Sequence, residues 1–265
     1  MSTAHERPTP LSGWAATLLL VERNVIVYRS AWKLFLTGFL EPVLYLLSIG
    51  IGVGALVQRI EYGDLTLDYA EFVAPAMLAA SAFNGALLDS TYNVFFKLRY
   101  EKLYDQMLAT PLRTADVARG EILWGQIRGA VYATVFLLVM LALGLVGSWW
   151  AVLALPAVVL IGFAFSAVFM ALTTWLTSWQ DFDKITLFQA PLFLFSATFY
   201  PVTAYPDWLR WVVEFTPLYR AVVLCRELTT GAVGVGSVVS VIYLVAMGVV
   251  GMVVVRRRLD GLLLR

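Results

Sequence analysis

Six apolar runs of membrane-spanning length dominate this chain of 265 residues. A bilayer core requires about 20 predominantly apolar residues in a helix. We predict spans over residues 34–57, 72–96, 126–147, 150–177, 185–201 and 235–255. Hydrophobic residues make up 60% of the chain and charged residues 14%, which excludes an ordinary soluble domain. The sequence therefore predicts an all-α polytopic membrane protein, with its transmembrane domain over 34–265.

The positive charges lie unequally on the two sides of these spans. Fifteen of the 19 lysines and arginines fall in the segments on the side of the N-terminus, and four fall on the other side. Because cytoplasmic loops are enriched in Lys and Arg, we expect both termini to be cytoplasmic, in an inner or plasma membrane. All nine tryptophans lie at or beyond predicted span ends, as in an interfacial aromatic belt.

Two segments outside the spans have patterns of their own. Residues 1–33 begin as a polar tail and then alternate apolar clusters with charges, which is typical of an amphipathic helix lying in the cytoplasmic interface. Residues 202–231 are aromatic but interrupted by charges and by two prolines, Pro206 and Pro217. This composition predicts short or re-entrant helices that dip into the outer interface.

The cytoplasmic segment LRYEKLYDQMLATPL at residues 98–112 is the most evenly charged part of the chain. Its apolar residues recur at helical spacing, at i, i+3, i+4, i+7, i+8 and i+11. This predicts an amphipathic helix that ends at the Thr110–Pro111 pair. Such a helix either rests its apolar face on the membrane or inserts that face into a cleft of a partner protein.

Polar residues inside predicted spans are candidates for function, because a carboxylate in lipid is costly. Glu41 and Asp89 lie at similar depth in adjacent spans, roughly 12 Å from the cytoplasmic boundary, and Asn84 lies one turn further in than Asp89. We expect the two acids to line a cytoplasm-facing cavity or to pair with a basic group such as Arg128. A purely structural hydrogen bond or ion pair is the alternative.

The sequence offers little support for catalysis or for cofactor binding. With one histidine, His5, and one cysteine, Cys225, the chain cannot assemble a His-dependent triad, a disulfide or a Cys/His metal cluster. None of its four lysines follows a glycine, so it has no P-loop for ATP. The DFDK sequence at 181–184 is expected to form a polar turn. A net charge of +1 gives no indication of nucleic-acid binding.

Three stretches resemble the membrane subunits of type-2 ABC exporters, the ABC-2 permeases. They are YAEFVAPAMLAASAFNGALLDSTY at 69–92, YEKLYDQMLATPLRTADVARGEILWG at 100–125, and LFLFSATFYPVTAYPDWLRWVVEFTPLYRAVVLCREL at 192–228. The likeness is greatest to the branch that includes nodulation-factor (lipo-oligosaccharide) exporters and daunorubicin-type drug exporters. Together with the predicted six-span layout, it covers nearly the whole chain.

This resemblance implies a permease subunit, itself not an enzyme, of an ATP-driven exporter for an amphipathic substrate (a lipid, glycolipid or hydrophobic drug). A separate P-loop subunit would bind ATP and Mg²⁺, and a second copy of the permease would complete a homodimer. The implied ATPase-coupling residues are Arg99, Tyr100, Lys102, Leu103, Tyr104, Met107, Leu108 and Pro111. The implied outer gate includes Phe199, Tyr200, Pro201, Pro206, Trp208, Pro217 and Arg220.

Two other classes of function stay open at this point. A membrane-embedded transferase acting on lipids would use Glu41 or Asp89 as a base. A proton-coupled secondary transporter would use the same acids as proton sites.

Overall fold

The computed structural model describes residues 13–29, 33–57 and 59–263, apart from the side chains of 33–39, 41, 51 and 263. The side chain of Glu41, a predicted pathway residue, therefore lies outside the described residues. The described part is mostly helical. Its α-helices are α1 (Gly13–Arg29), α2 (Lys33–Gly52), α3 (Tyr69–Leu88), α4 (Leu103–Leu108), α5 (Thr114–Ala142), α6 (Ala154–Thr173), α7 (Phe182–Leu194), α8 (Asp207–Phe215), α9 (Pro217–Thr230) and α10 (Val235–Leu263).

Four helical stretches of the described ranges are long and apolar enough to cross a membrane. They are Tyr69–Tyr100, Thr114–Ala142, Trp149–Thr173 and Val235–Leu262, and they correspond to the second, third, fourth and sixth predicted spans. The stretch from Tyr69 contains α3 and then two π-helical turns, Asp89–Asn93 and Phe96–Tyr100. An all-α membrane protein thus agrees with the described structure.

The remaining two predicted spans differ from the observed helices. The first was placed at 34–57, but α2 ends at Gly52. The fifth was placed at 185–201, whereas α7 runs from Phe182 to Leu194 and has 13 residues. A 13-residue helix is roughly 20 Å long, which is shorter than a bilayer core of about 30 Å. Six spans therefore remain a prediction.

A β-hairpin between α2 and α3 was not predicted. Strand β1 (Arg59–Tyr62) pairs antiparallel with β2 (Leu65–Asp68), and Arg59 lies opposite Asp68. A two-residue loop joins them, and Gly63 in it has a φ of 59°, a left-handed conformation that glycine adopts without a Cβ penalty. The Tyr62 ring packs against Phe72 of α3 at 6.0 Å between ring centroids.

The ends of the helices gather into two groups. In one group, α1, the start of α5, the end of α6 and the end of α10 share an apolar cluster with α4. In the other group, the hairpin and the start of α3 meet α9, and the backbone N–H of Gly147 donates to the carbonyl of Thr229. Helix α1 and the C-terminal end of α10 therefore lie at the same end of the bundle. The side of a membrane that this end faces remains a prediction.

Close helix contacts hold these groups together. Helix α3 packs against α2, α5, α6 and α9, and α6 packs against α10. At the α6–α10 crossing, a Cβ on Gly251 would lie 2.9 Å from Ala167, so the two backbones approach closely there. This packing fixes the positions of the polar residues described next.

Candidate functional site

The segment predicted as one coupling helix is divided in the structure. The second π-helical turn ends at Tyr100, and Lys102 has a φ of 48°, in the left-handed region that interrupts a helix. Helix α4 then covers only Leu103–Leu108. The prediction of one helix within residues 98–112 that ends at Thr110–Pro111 is therefore wrong, because a left-handed residue interrupts it.

Two of the apolar residues predicted to face a partner are buried within the chain. Tyr104 is 0% exposed and Met107 is 8% exposed. They share a cluster with Leu20 of α1, Ile122 of α5 and Leu259 of α10, among others. Burial raises the pKa of the Tyr104 phenol well above its ordinary value. These two side chains anchor the segment to the bundle and do not present a surface to another protein.

Other residues of the segment are exposed. Tyr100 is 62% exposed, and Arg99, Lys102 and Pro111 are also on the surface, while Leu103 and Leu108 are half-buried. Arg99 donates through Nη2 to the carbonyl of Leu176 (3.2 Å), which links the segment to the chain that follows α6. The exposed surface of this segment also includes Glu101, Asp105, Gln106, Ala109 and Thr110.

A cleft of about 560 Å³ opens between α2, α3, α5 and α7. Asn84, a predicted pathway residue, lines it and accepts a hydrogen bond from Nε2 of Gln189 (3.0 Å). Its walls mix hydroxyl and amide groups with aliphatic and aromatic side chains. The lining residues are Pro42, Tyr45, Met77, Ala80, Ser81, Asn84, Gly85, Leu88, Arg128, Tyr132, Thr186, Gln189, Ala190, Phe193 and Phe199.

Asp89 and Arg128 form an ion pair beside this cleft, which is one of the arrangements expected for this carboxylate. Both side chains are largely buried, and Oδ1 of Asp89 also accepts from Nδ2 of Asn93 (3.1 Å). The guanidinium of Arg128 lies over the Tyr28 ring at 5.3 Å from its centroid. Among the described residues, no hydrogen-bond partner is present for Nε of Arg128. The pair joins the first π-helical turn to α5 at the end of the cleft.

A second buried ion pair was missed by the sequence analysis. Nζ of Lys97 lies 2.6 Å from Oε2 of Glu121, and both side chains are mostly buried. Both residues lie just beyond apolar runs, where charges usually reach solvent, so their pairing had only a weak signal. The pair joins the second π-helical turn to α5, directly before the coupling segment.

The predicted outer-gate residues occupy a loop and two helices. Phe199 reaches the cleft, whereas Tyr200 contacts the Tyr205 ring at 5.1 Å between centroids. Trp208 of α8 is 72% exposed. Pro201 precedes a short 3₁₀ turn and Pro206 precedes α8. Pro217 begins α9, and the Arg220 guanidinium lies 5.8 Å from the Tyr219 ring. The short helices predicted within residues 202–231 correspond to α8 and α9, and their position at an outer interface remains a prediction.

Arg226 of α9 was also missed, because a lone arginine in an aromatic segment carries no periodic signal. It is 1% exposed. Its Nε donates to the carbonyl of Phe72 (3.1 Å) and its Nη2 to the carbonyl of Ala197 (3.0 Å). Its guanidinium stacks on the Phe72 ring at 3.7 Å and lies 5.4 Å from the Tyr62 ring. One side chain thus ties α9 to α3, the hairpin and the loop after α7.

These features define an integral membrane protein with several apolar helices, a polar cleft between them and a folded segment anchored at one end. The chain belongs to the ABC-2 type transporter family, whose sequence profile matches residues 15–230. Proteins of this family are the membrane subunits of transporters.

Relatives similar along most of their length support this assignment. Nodulation protein J of Rhizobium leguminosarum bv. trifolii is 31% identical, over 84% of this chain and 85% of that protein. Nodulation protein J of Sinorhizobium fredii is 30% identical over 77% of each chain. The daunorubicin resistance ABC transporter permease protein DrrB1 of Streptomyces coeruleorubidus is 23% identical, over 88% of this chain and 81% of that protein.

Proposed function

We propose that this chain is the permease subunit of an ATP-driven exporter that moves an amphipathic molecule across the cytoplasmic membrane. Its family membership and the names of its relatives support this proposal. A separate P-loop subunit binds ATP and Mg²⁺, since the chain has no P-loop lysine of its own.

The observation that carries the proposal is the burial of Tyr104 and Met107 in a cluster shared with α1, α5, α6 and α10. A segment anchored in this way cannot move without moving the helices around it, because a close-packed interior transmits strain. Force applied to its exposed surface would therefore reach several helices at once. This is the mechanical property that a coupling segment needs.

The docking surface in this proposal is the exposed surface of residues 99–111. Tyr100 and Pro111 offer apolar contact, and Arg99, Lys102 and Gln106 offer polar contact around them. An apolar centre with a polar rim is the usual composition of a protein interface. The ATP-binding subunit would dock here, on the cytoplasmic side.

The cleft supports an amphipathic substrate. Its volume of about 560 Å³ is in the range of small-molecule sites. Ser81, Asn84 and Gln189 supply hydrogen-bonding groups, whereas Met77 and Phe193 supply apolar surface. Among the described residues that line the cleft, Arg128 is the only charged one. Its charge is neutralised by Asp89, its partner in the adjacent ion pair. Such walls suit a molecule with an uncharged polar part and an apolar part.

A homodimer would complete the pathway. Leu187 and Phe188 of α7 are 75% and 64% exposed, although the first turn of this helix is buried through Phe182 and Ile185. A second copy could cover this apolar face, and a two-fold interface is the commonest way to pair identical chains. In this arrangement α2 and α7 add to the four long helices to give six spans, both termini are cytoplasmic, α1 lies in the inner interface, and α8 and α9 form the outer gate.

Copurification with an ATP-binding subunit tests the docking proposal. The probe is the P-loop subunit encoded nearest to this chain, expressed with it and purified through a tag on the permease. We expect Tyr100→Asp with Gln106→Asp to abolish copurification and stimulated ATP hydrolysis while leaving permease yield unchanged. The matched control is Thr66→Asp, at an exposed position of β2 at the other end of the bundle. Full ATPase binding by the double variant would refute the docking surface.

A further inference from the structure

An apolar groove of about 500 Å³ runs between α6 and α10 and shares no lining residue with the cleft. Gly251 sets its floor, because a Cβ there would lie 2.9 Å from Ala167 and 3.0 Å from the backbone nitrogen of Val168. Almost all of the atoms exposed in the groove are apolar.

The length of the groove corresponds to one leaflet of a bilayer. On α10 it is lined by Tyr243, Met247, Val250 and Val254, which recur on one helical face. The separation of 11 positions between Tyr243 and Val254 corresponds to roughly 16 Å along the helix axis. This is close to half of a hydrocarbon core of about 30 Å. An acyl chain could thus lie along the groove over its full depth.

A positive charge stands at one end of the groove. Arg258 follows Val254 by four residues and so continues the same face of α10. Its guanidinium stacks over the Trp175 ring at 4.6 Å, and Trp175 itself lines the groove. Its Nε lies 3.4 Å from Oγ1 of Thr174. Within the described ranges, no carboxylate lies at ion-pair distance from Arg258 or from its exposed neighbour Arg257.

We propose that this groove binds one anionic glycerophospholipid from the leaflet that faces the C-terminal end of α10. An acyl chain fills the apolar groove, and the phosphate group lies at Arg258 and Arg257. Any phospholipid could occupy the apolar part, but an anionic one also brings a net negative charge to the two arginines, which attract it. The inference requires that the chain lies in a membrane and does not depend on the direction of transport or on the docking surface.

Lipid retention tests the site. The protein is reconstituted in nanodiscs of phosphatidylcholine with a minor fraction of phosphatidylglycerol, extracted in mild detergent, and its retained lipid is measured by mass spectrometry. We expect wild type to retain phosphatidylglycerol above its fraction in the disc. Arg257→Gln with Arg258→Gln should reduce that enrichment, by about fivefold for each arginine. Arg210→Gln on α8 is the control and should leave it unchanged.

A second variant tests the contribution of the apolar groove separately from that of the arginines. Val250→Trp places a large side chain in the groove and keeps both arginines, so it should lower the retention of phosphatidylglycerol. Soluble glycerophosphoglycerol should not displace the retained lipid, because it lacks the acyl chain. Unchanged enrichment in the double arginine variant or in Val250→Trp, an equal loss in Arg210→Gln, or displacement by the soluble headgroup would each overturn the proposal.

Discussion

Lys97 and Glu121 form an ion pair, with Nζ 2.6 Å from Oε2, at the junction between the spans and the proposed docking segment. Their side chains are 15% and 9% exposed. The pair joins the second π-helical turn to α5, so the two helices are fixed to each other where the chain leaves the bundle. Movement of the docking segment relative to α5 would therefore have to stretch or break this ion pair.

Breaking that pair from one side should be costly. We expect Lys97→Met to destabilise the protein by about 3–5 kcal/mol, because it leaves a buried carboxylate unpaired. The double variant Lys97→Met with Glu121→Leu should recover most of the loss. Thermal unfolding of the detergent-purified protein measures the effect. Lys184→Met is the control, because the Lys184 side chain is exposed and its pairing with Asp181 is screened by solvent, so its loss should have a much smaller effect. Equal effects of Lys97→Met and Lys184→Met would contradict the prediction.

The Tyr104 hydroxyl is buried, and no hydrogen-bond partner for it is present in the part of the chain that the structure describes. Tyr104→Phe removes this polar atom and keeps the ring, so stability should be unchanged or slightly higher. Tyr104→Ala should instead lose about 3–5 kcal/mol through the cavity that it creates. Both variants are compared by unfolding midpoint and by copurification with the ATP-binding subunit. A loss of ATPase binding in a stable Tyr104→Phe protein would show that this residue contacts the partner after all.

The packing of α1 on α5 depends on Gly120. A Cβ at this position would lie 2.8 Å from both Cβ and Cδ1 of Leu20, so Gly120→Ala must displace α1. We expect a loss of about 1–3 kcal/mol, as for overpacked cores. Gly129→Ala on the same helix meets nothing within 4 Å and should gain up to about 1 kcal/mol from helix propensity. Unfolding midpoints of the two variants check the contrast, and a shift of the same sign in both would rule out the steric explanation.

The Asp89–Arg128 pair can be tested for a role beyond stability. Asp89→Asn and Arg128→Gln should each destabilise the protein, since each leaves one buried charge unpaired. The double variant should regain stability. If the pair also serves the transport pathway, the double variant should fold and bind the ATP-binding subunit but export less substrate than wild type. Wild-type export by the double variant would show that the pair has only a structural role.

Asp181 should give the turn after α6 a pH dependence in acid. The Lys184 ammonium, followed by the backbone N–H groups of Thr177 and Ser178, holds the pKa of this carboxyl well below its ordinary value. Its contribution is therefore present above the unfolded pKa of about 4 and is lost as the pH falls through the folded value. The protection factors for hydrogen exchange at residues 177–184, taken relative to the intrinsic rate at each pH, should fall only below about pH 4. Asp181→Asn should show fast exchange at neutral pH, and slow exchange there would contradict this explanation.

Long, strongly apolar elements could be predicted from the sequence. Four predicted spans coincide with long helices because lipid imposes one length and one composition on each. The Asp89–Arg128 pairing followed from two charges placed in neighbouring spans, where few other partners exist. The DFDK stretch was expected to form a polar turn, but only Asp181 belongs to one, through hydrogen bonds from Thr177 and Ser178. The rest of the stretch is the start of α7, so that prediction is wrong beyond Asp181.

The sequence did not predict which way the apolar face of the docking segment points, or where its helix is interrupted. Helical spacing placed Tyr104 and Met107 on one face, but periodicity does not reveal whether that face meets the same chain or another one. The break at Lys102 depends on a left-handed backbone conformation, and nothing in the sequence signals it, because the residue is not a glycine. The hairpin had a turn signal at Gly63–Asp64, but its strands of four residues are too short to outweigh the flanking apolar helices.

Because of its two π-helical turns, the stretch between Leu88 and Glu101 contains more residues than an α-helix of the same length would contain. A π-helical turn contains more residues than an α-helical turn, because its hydrogen bonds run from i to i+5. Conversion of one turn to α geometry would advance the following chain by one residue, which is a rotation of roughly 100° and a rise of about 1.5 Å. Lys97 would then leave Glu121, and the docking segment would turn with it. The helix thus contains a built-in step by which its register can change without unwinding.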